Sequence, residues 1–202
     1  MILAALLLLL TAGFAGTTSS ALYTKLQGAY KNLSSFQADV QQANYYAQLK
    51  KTITYSGTIY FTPGRMLMHF TKPTLQRLKI ESGRVELYDA SSNSLFKSEV
   101  LPEFGKMNPV EILQLYWGKS SVSVTAEDDV SASVRLTPTK DDLVSTLTAR
   151  ISKGNGMVTK LGYTDKNGNT VSYAFSGIKL NAGIASSVWQ YSYPKNVQVV
   201  EQ

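Results

Sequence analysis

The chain has 202 residues, a formal net charge of +6, one histidine and no cysteine. This length allows one substantial domain or two small ones, and 44% hydrophobic with 17% charged residues is the composition of a globular protein, not a disordered one. The lack of cysteine excludes disulfides, thiolate zinc sites, cysteine nucleophiles and cysteine lipidation, while a single histidine excludes paired-histidine metal sites.

The N-terminal residues form an unbroken apolar run from Ile2 to Leu10, followed by a cluster of small residues. Such a run is shorter than the about 20 residues that cross a bilayer, and it is typical of a signal peptide with its cleavage zone. We predict a signal peptide over residues 1–18, cleaved between about residues 15 and 21, and one domain over 19–202. A buried N-terminal helix is the alternative. Export without cysteine favours a bacterial periplasm over a eukaryotic extracellular space.

Apolar residues next recur at helical spacing, which predicts an amphipathic helix capped by Ser19 or Ser20. From about Phe36 the apolar period becomes two, as in half-buried antiparallel strands. Turn dipeptides at Pro63-Gly64 and Ser82-Gly83 separate successive strands and indicate a meander. The helix carries Leu22, Leu26, Ala29, Tyr30 and Leu33, and the strands cover residues 52–61, 66–71, 77–81 and 84–88.

A second helix interrupts the strands. Asn108 is its cap, Pro109 takes the first helical position, Glu111 stands where a capping box places it, and Gly118 ends the segment. Its apolar residues fall on two neighbouring faces, Leu113 with Trp117 and Ile112 with Tyr116.

The second half of the chain returns to period-two segments separated by turn motifs rich in glycine and asparagine. Together with the first half, they predict a mainly β domain with some α structure: a large antiparallel sheet of about ten strands, with two or three helices on one face. The later strands are predicted at residues 130–137, 143–152, 157–164, 170–176 and 188–193.

Catalytic, metal and cofactor chemistry is not indicated. His69, the one imidazole, has the strand parity opposite to Met66 and Met68, so we expect it to face solvent and not to serve a triad. The carboxylate pairs at 128–129 and 141–142 are typical of solvated turns. Basic residues are spread among acidic ones, which does not favour nucleic-acid binding.

One face of the predicted sheet carries a continuous set of large apolar side chains. An ordinary core beneath the helices is one interpretation, and a cavity whose methionines repack around a flexible apolar ligand is the other. The candidate cavity residues are Ile53, Tyr55, Ile59, Phe61, Met66, Met68, Phe70, Leu78 and Ile80.

The sequence resembles the periplasmic carriers of outer-membrane lipoproteins, the LolA-like proteins. The resemblance spans nearly all of the predicted mature chain, although each matching piece alone is a weak signal. The matching pieces are residues 35–41, 56–66, 72–73, 81–89, 108–113 and 193–197, the last similar to the closing strand of that family.

The resemblance implies an open antiparallel half-barrel closed by a helical lid over an apolar cavity for lipoprotein acyl chains. The lid residues it implies are Ile112, Leu113, Tyr116 and Trp117. It further implies no enzymatic activity and no cofactor or metal. The implied partners are acylated lipoproteins, an inner-membrane ABC-type lipoprotein releasing complex and, where one exists, an outer-membrane receptor.

Two departures from the family pattern concern the lid and the cavity. The family often has an arginine before the strand-turn proline, which ties the barrel to the lid, whereas this chain has Thr62 with Arg65 as the candidate substitute. A family tryptophan is matched by Met68. The receptor that resembles this carrier is a lipoprotein and needs a cysteine, so the absence of cysteine indicates the soluble carrier.

The sequence therefore predicts a monomeric periplasmic carrier that shuttles lipoproteins from the inner to the outer membrane. A periplasmic lipid-binding sensor or envelope-stress regulator on the same half-barrel is the alternative. An esterase of lipid-like substrates is a third hypothesis, which the single histidine disfavours.

The exported protein should begin between Gly16 and Leu22, because the small residues end there and the first helix begins. The intact mass of the secreted protein measures this directly. Retention of Met1 to Leu10 would contradict the export prediction.

Overall fold

The computed structural model of the chain describes residues 16–99 and 109–201. The predicted signal-peptide run and the predicted cap residue Asn108 lie outside these ranges. The described elements are α1 (Ser19–Tyr30), β1 (Phe36–Tyr46), β2 (Lys51–Thr62), β3 (Arg65–Lys72), β4 (Gln76–Glu81), β5 (Arg84–Asp89), β6 (Ser94–Glu99), α2 (Pro109–Trp117), β7 (Ser120–Glu127), β8 (Ser131–Pro138), β9 (Val144–Ser152), β10 (Val158–Asp165), β11 (Thr170–Leu180), a 3-10 helix (Ser186–Trp189) and β12 (Gln198–Glu201).

The strands form one 12-stranded sheet in the order β12-β6-β5-β4-β3-β2-β1-β11-β10-β9-β8-β7. Every neighbouring pair is antiparallel except β12 with β6, which run parallel. The sheet is curved and open, since β12 and β7 are edges that do not meet. Strand β1 is central because it pairs with both β2 and β11, joining the two halves of the chain. The predicted mainly β, open antiparallel architecture is confirmed.

Several predicted elements need correction. The sheet has 12 strands, not about ten, because β6, β7 and β12 carry too short or too polar an alternation to stand out. The strand predicted at 188–193 is wrong, since this segment begins in the 3-10 helix and continues without ladder pairing. Residues 193–197 contain a turn, and the closing strand starts only at Gln198. The cap of α1 is Thr18, whose hydroxyl accepts from the Ala21 amide at 3.2 Å.

The two faces of the sheet have different coverings. We call the face that carries Ile59 and Met68 the inner face; the two residues are register partners across β2 and β3. Helices α1 and α2 share one core with this face, as predicted. The helices also contact each other, with the rings of Tyr23 and Trp117 stacked at 5.1 Å. No helix within the described residues is long and apolar enough to cross a membrane.

The opposite, outer face of β2–β5 is covered by the C-terminal segment, residues 185–197. Arg77 is only 6% exposed there. Its guanidinium donates to the Val188 carbonyl at 3.3 Å, lies 3.2 Å from Nδ1 of His69, and sits 4.6 Å from the ring centre of Tyr191. Tyr193 donates to the Glu86 carboxylate at 3.1 Å, close to the same cluster.

His69 takes the outer face, as its parity predicts, but it is half-buried and does not simply face solvent. Burial, with the nearby Arg77 guanidinium, holds the pKa of His69 below its ordinary value. The imidazole is therefore neutral at neutral pH. Because an arginine only donates, Nδ1 is the acceptor and the ring proton lies on Nε2. The histidine thus stabilises a buried arginine.

Helix α1 docks on the turn between β9 and β10. Gly156 in that turn has a φ of +73°, and a Cβ on it would collide with the backbone of Lys25 in α1. The hydroxyl of Tyr30, the last residue of α1, accepts a hydrogen bond from the Val158 amide at 3.1 Å. The close approach of helix and turn therefore requires glycine.

Gly156→Ala should lower the free energy of unfolding by about 2–4 kcal/mol, because it combines a strained φ with a backbone collision. Gly28→Ala is the matched control, since an added Cβ on that residue of α1 meets nothing within 4 Å. We expect the control to raise stability by about 0.5–1 kcal/mol. Urea unfolding of both variants measures the difference, and equal effects would contradict the proposed docking.

Candidate ligand cavity

A cavity of about 510 Å³ lies between α2 and the inner face of the sheet. Its walls come from β3 and β4 on one side and from β9, β10 and β11 on the other. These two groups are separated in the sheet by β2 and β1, so only the curvature of the sheet brings them together. The lining residues are Met66, Met68, Leu78, Ile80, Ile112, Tyr116, Leu143, Val144, Leu147, Leu161, Gly162, Tyr163, Asp165 and Tyr173.

The predicted cavity residues fall into two groups. Met66, Met68, Leu78 and Ile80 line the cavity. The other five lie elsewhere on the same face. Ile59, Phe61 and Phe70 are packed in the core at 0%, 3% and 4% exposure. Tyr55 packs against Phe70, with 5.6 Å between the ring centres, and Ile53 is half-buried near the start of β2. A packed core therefore accounts for one part of the face and a cavity lies along the other, and binding of a ligand there stays a prediction.

The four candidate lid residues of α2 divide in the same way. Ile112 and Tyr116 line the cavity. Leu113 is fully buried in the core, and Trp117 is stacked on Tyr23 of α1. One face of α2 thus anchors the helix, while the neighbouring face forms a wall of the cavity.

Thr62 and Arg65, the candidate latch residues, lie on the outer face. Arg65 donates from Nε to the Thr62 hydroxyl at 3.3 Å, sits 4.2 Å from the ring centre of Trp189 and lies 3.7 Å from the Glu81 carboxylate. Thr62 follows the inward-facing Phe61, so strand alternation turns it away from α2. Among the described residues, the expected contact with the helix is not formed, and a latch role for this pair stays a prediction.

The far wall of the cavity was missed by sequence reasoning. Leu147 and Tyr163 are register partners, and so are Leu161 and Tyr173. Each follows the period-two pattern that predicted β9–β11, so the signal for an inward side chain was present. The sequence did not show that this half of the sheet faces β3 and β4 across a cavity.

A hydrogen bond ties α2 to the loop between β8 and β9. The Tyr116 hydroxyl donates to Asp141 Oδ2 at 2.8 Å, while Oδ1 accepts from the amides of Leu143 at 2.9 Å and Val144 at 2.6 Å. The Val144 amide is the largest cause that lowers the pKa of Asp141, and burial followed by the Asp141 bond raises the pKa of Tyr116 to about 12. At neutral pH the pair is therefore a neutral donor and an ionised acceptor, which is the stronger kind of hydrogen bond.

The cavity is suited to binding an apolar ligand. Burial raises the pKa values of Tyr163 and Tyr173, so both phenols are uncharged at neutral pH. The one carboxylate among the described lining residues, Asp165, accepts from the amides of Asn167 and Asn169 at 2.8 and 2.9 Å. Apolar walls with a few polar groups at the edge are the usual character of a small-molecule site.

Tyr116→Phe should loosen α2 by about 1 kcal/mol, because it removes one charge-assisted but partly exposed hydrogen bond. Amide hydrogen exchange should quicken in residues 110–117. Since the pKa of Asp141 is lowered in the folded protein, the contribution of the bond should be constant at neutral pH and be lost only as the pH falls through that lowered value.

Tyr163→Phe is the matched control, since it removes a hydroxyl from the same cavity without touching the link to Asp141. Unchanged exchange in α2 of the Tyr116→Phe variant would show that the bond does not hold the helix.

Comparison with known proteins identifies the family of this chain. The family described as outer membrane lipoprotein carrier protein LolA matches residues 31–192. The outer-membrane lipoprotein carrier protein of Cupriavidus taiwanensis is 27% identical over 168 residues, covering 77% of this chain and 75% of that protein. The protein of the same name from Pseudomonas syringae pv. tomato is 28% identical over 144 residues, covering 69% and 68%.

Solved structures share the fold at low sequence identity. An uncharacterized conserved protein from Thermus thermophilus matches with a TM-score of 0.57 at 13% identity, covering 92% of this chain and all 100% of that one. The Mycobacterium tuberculosis lipoprotein LppX matches with a TM-score of 0.50 at 11% identity, covering 83% and 99%. Because the family match extends over most of the described sheet and both sides of the cavity, this chain belongs to the LolA family of outer membrane lipoprotein carrier proteins.

Proposed function

We propose that this protein is a non-enzymatic periplasmic carrier, which binds the acyl chains of lipoproteins and shuttles them from the inner to the outer membrane. Family membership supports the carrier role. The observation that carries the proposal is the apolar cavity between α2 and the sheet, with Met66 and Met68 in its wall. Methionine is flexible and polarizable, so it adapts to chains that differ in position and length.

The cost of exposing lipid to water explains why such a carrier needs a cavity. Transfer of an acyl chain of about 16 carbons into water costs about 0.8 kcal/mol per CH₂, or roughly 10 kcal/mol or more for each chain. A cavity of about 510 Å³ lies within the range of ligand sites. Enclosing the chain removes most of this cost while the cargo crosses an aqueous compartment.

Release requires that the enclosure open, and α2 is the element suited to that. The helix has only 9 residues and packs mainly against α1, β7 and β8. Toward the cavity it presents Ile112 and Tyr116, and the Tyr116–Asp141 bond holds it to the sheet side. We assign α2 as the lid: Leu113 and Trp117 anchor one of its faces in the core, and the Tyr116–Asp141 bond holds the cavity-facing side that would have to move for release.

The proposed cycle has three partners. An inner-membrane ABC-type releasing complex loads the acylated lipoprotein, and an outer-membrane receptor, where one exists, accepts it. The carrier itself is proposed to act as a monomer after removal of the signal peptide. The alternative, a lipid-binding sensor or envelope-stress regulator, would use the same cavity with free lipid as its ligand.

Met68→Glu should abolish binding of a fluorescent fatty-acyl probe while leaving the protein folded. Met68 is 5% exposed and lines the cavity, so a carboxylate there opposes an acyl chain but can be hydrated when the cavity is empty. We expect at least a tenfold loss of probe affinity with a modest decrease in Tm. Thr71→Glu, at an exposed position of the same strand, should change neither.

Leu78→Glu is the second variant, since Leu78 is only half-buried and lines the same cavity. If Met68→Glu unfolds, loss of probe binding in folded Leu78→Glu still supports the cavity. Undiminished binding in either folded variant would refute it.

The carrier role itself is tested on protein purified from its native periplasm. Mass spectrometry of the co-purifying molecules should find acylated lipoproteins. Free phospholipid alone would contradict the carrier and favour the sensor.

A further inference from the structure

The two most exposed large apolar side chains of the described residues lie at the same end of the sheet. Leu143 is 77% exposed and Leu49 is 71% exposed, with Tyr46 at 37% nearby in the same hairpin. Single exposed apolar residues are normal, but two exposed leucines along one edge of the sheet are candidates for an interaction site.

Hydrogen bonds join the loops that carry these residues. The Ala47 amide donates to the Asn169 side chain at 3.0 Å, and the Lys166 amide donates to the Leu143 carbonyl at 3.0 Å. The β1–β2 hairpin tip, the β10–β11 turn and the β8–β9 loop therefore form one continuous edge. We call residues 46–51, 139–143 and 166–169 the loop rim.

The loop rim is rigid where it carries Leu143. Asp141 binds the amides of Leu143 and Val144, and Asp165 binds those of Asn167 and Asn169. These hydrogen bonds fix the backbone of the turns, and the Leu143 side chain is 77% exposed there.

Lysines outnumber carboxylates on the loop rim by four to two. Lys50, Lys51, Lys140 and Lys166 are exposed in the loop rim. The rim has two carboxylates, Asp141 and the exposed Asp142. Asp141 accepts hydrogen bonds from Tyr116 and two backbone amides. A third carboxylate, Asp165, lies just outside the rim. Exposed leucines and a tyrosine on an edge where lysines outnumber carboxylates have the chemistry of a surface that enters the headgroup region of an anionic bilayer.

The loop rim is continuous with the mouth of the cavity. Leu143 lines the cavity, and so does Tyr163, which is 39% exposed. A bilayer seated on the rim would therefore meet the cavity opening directly, and an acyl chain could pass between them without crossing bulk water.

We propose that the loop rim is a docking surface for a bilayer containing anionic lipid, with Leu49 and Leu143 entering the interface and the lysines contacting headgroups. The docking surface stands on its own geometry, while its use in loading or releasing cargo rests on the proposed carrier function. Two leucines and four lysines suit weak, reversible contact, not a permanent anchor.

Co-sedimentation of the cargo-free exported protein with vesicles tests the proposal. Binding to vesicles of phosphatidylethanolamine and phosphatidylglycerol at 3:1 should exceed binding to pure phosphatidylcholine at least fivefold and should weaken with added salt. Leu49→Asp with Leu143→Asp should lower it at least fivefold. Lys50→Gln with Lys51→Gln should reduce the preference for anionic vesicles.

Val130→Asp is the matched control, because Val130 is 69% exposed in the β7–β8 turn at the opposite end of the sheet. It should bind vesicles as the parent does. Equal binding by the double leucine variant, or no vesicle binding by the parent, would overturn the proposal. An effect of Leu49→Asp on cargo transfer without any vesicle binding would assign the rim to a protein partner and equally overturn it.

The acyl-probe titration without vesicles separates this proposal from the proposed function. Leu49 is not among the cavity-lining residues, so Leu49→Asp should keep full probe affinity. Failure of the parent to bind the probe would refute the carrier function while leaving the vesicle result to decide the docking surface.

Discussion

Coverage of the inner face is the constraint on which the rest of the structure depends. At ~4.8 Å between strands, a sheet of 12 strands is roughly 53 Å wide when laid flat. Helices α1 and α2, with 12 and 9 residues, are each only about 10 Å across. Two helices cannot fill such a face, so the sheet curls around them, and the space that remains is the cavity.

The packing is uneven because α1 and α2 cover different parts of the sheet. Around α1 the core is complete, with Leu22, Leu26, Ile151 and Val158 all fully buried. On the side of β3 and β4, Leu78 and Ile80 stay half-buried because the space above them is open. The proposed carrier function would use this combination, with the packed part giving stability and the open part leaving space for ligand.

Contacts on the outer face stabilise the part of the sheet that borders the cavity. The C-terminal segment crosses β2–β5, where Arg77 bridges His69, Val188 and Tyr191. These contacts join strands that lack full packing on their inner side. On the inner side, the Tyr116–Asp141 bond holds α2, the proposed lid, to the loop rim, the same edge that places Leu143 at the cavity mouth.

Local periodicity by itself determined much of this protein. The period of two in β2–β5 placed Met66 and Met68 on one face and His69 on the other, and helical spacing separated Leu113 from Tyr116 on α2. Periodicity shows which side a residue takes, but not what stands opposite. Only the tertiary structure brought Leu161 and Tyr173 across from β3, paired Tyr116 with Asp141, and laid residues 188–193 on the outer face although their alternation is that of a strand. The physical reason is that sheet curvature and loop contacts depend on residues far apart in the chain, whose mutual distance no local pattern records.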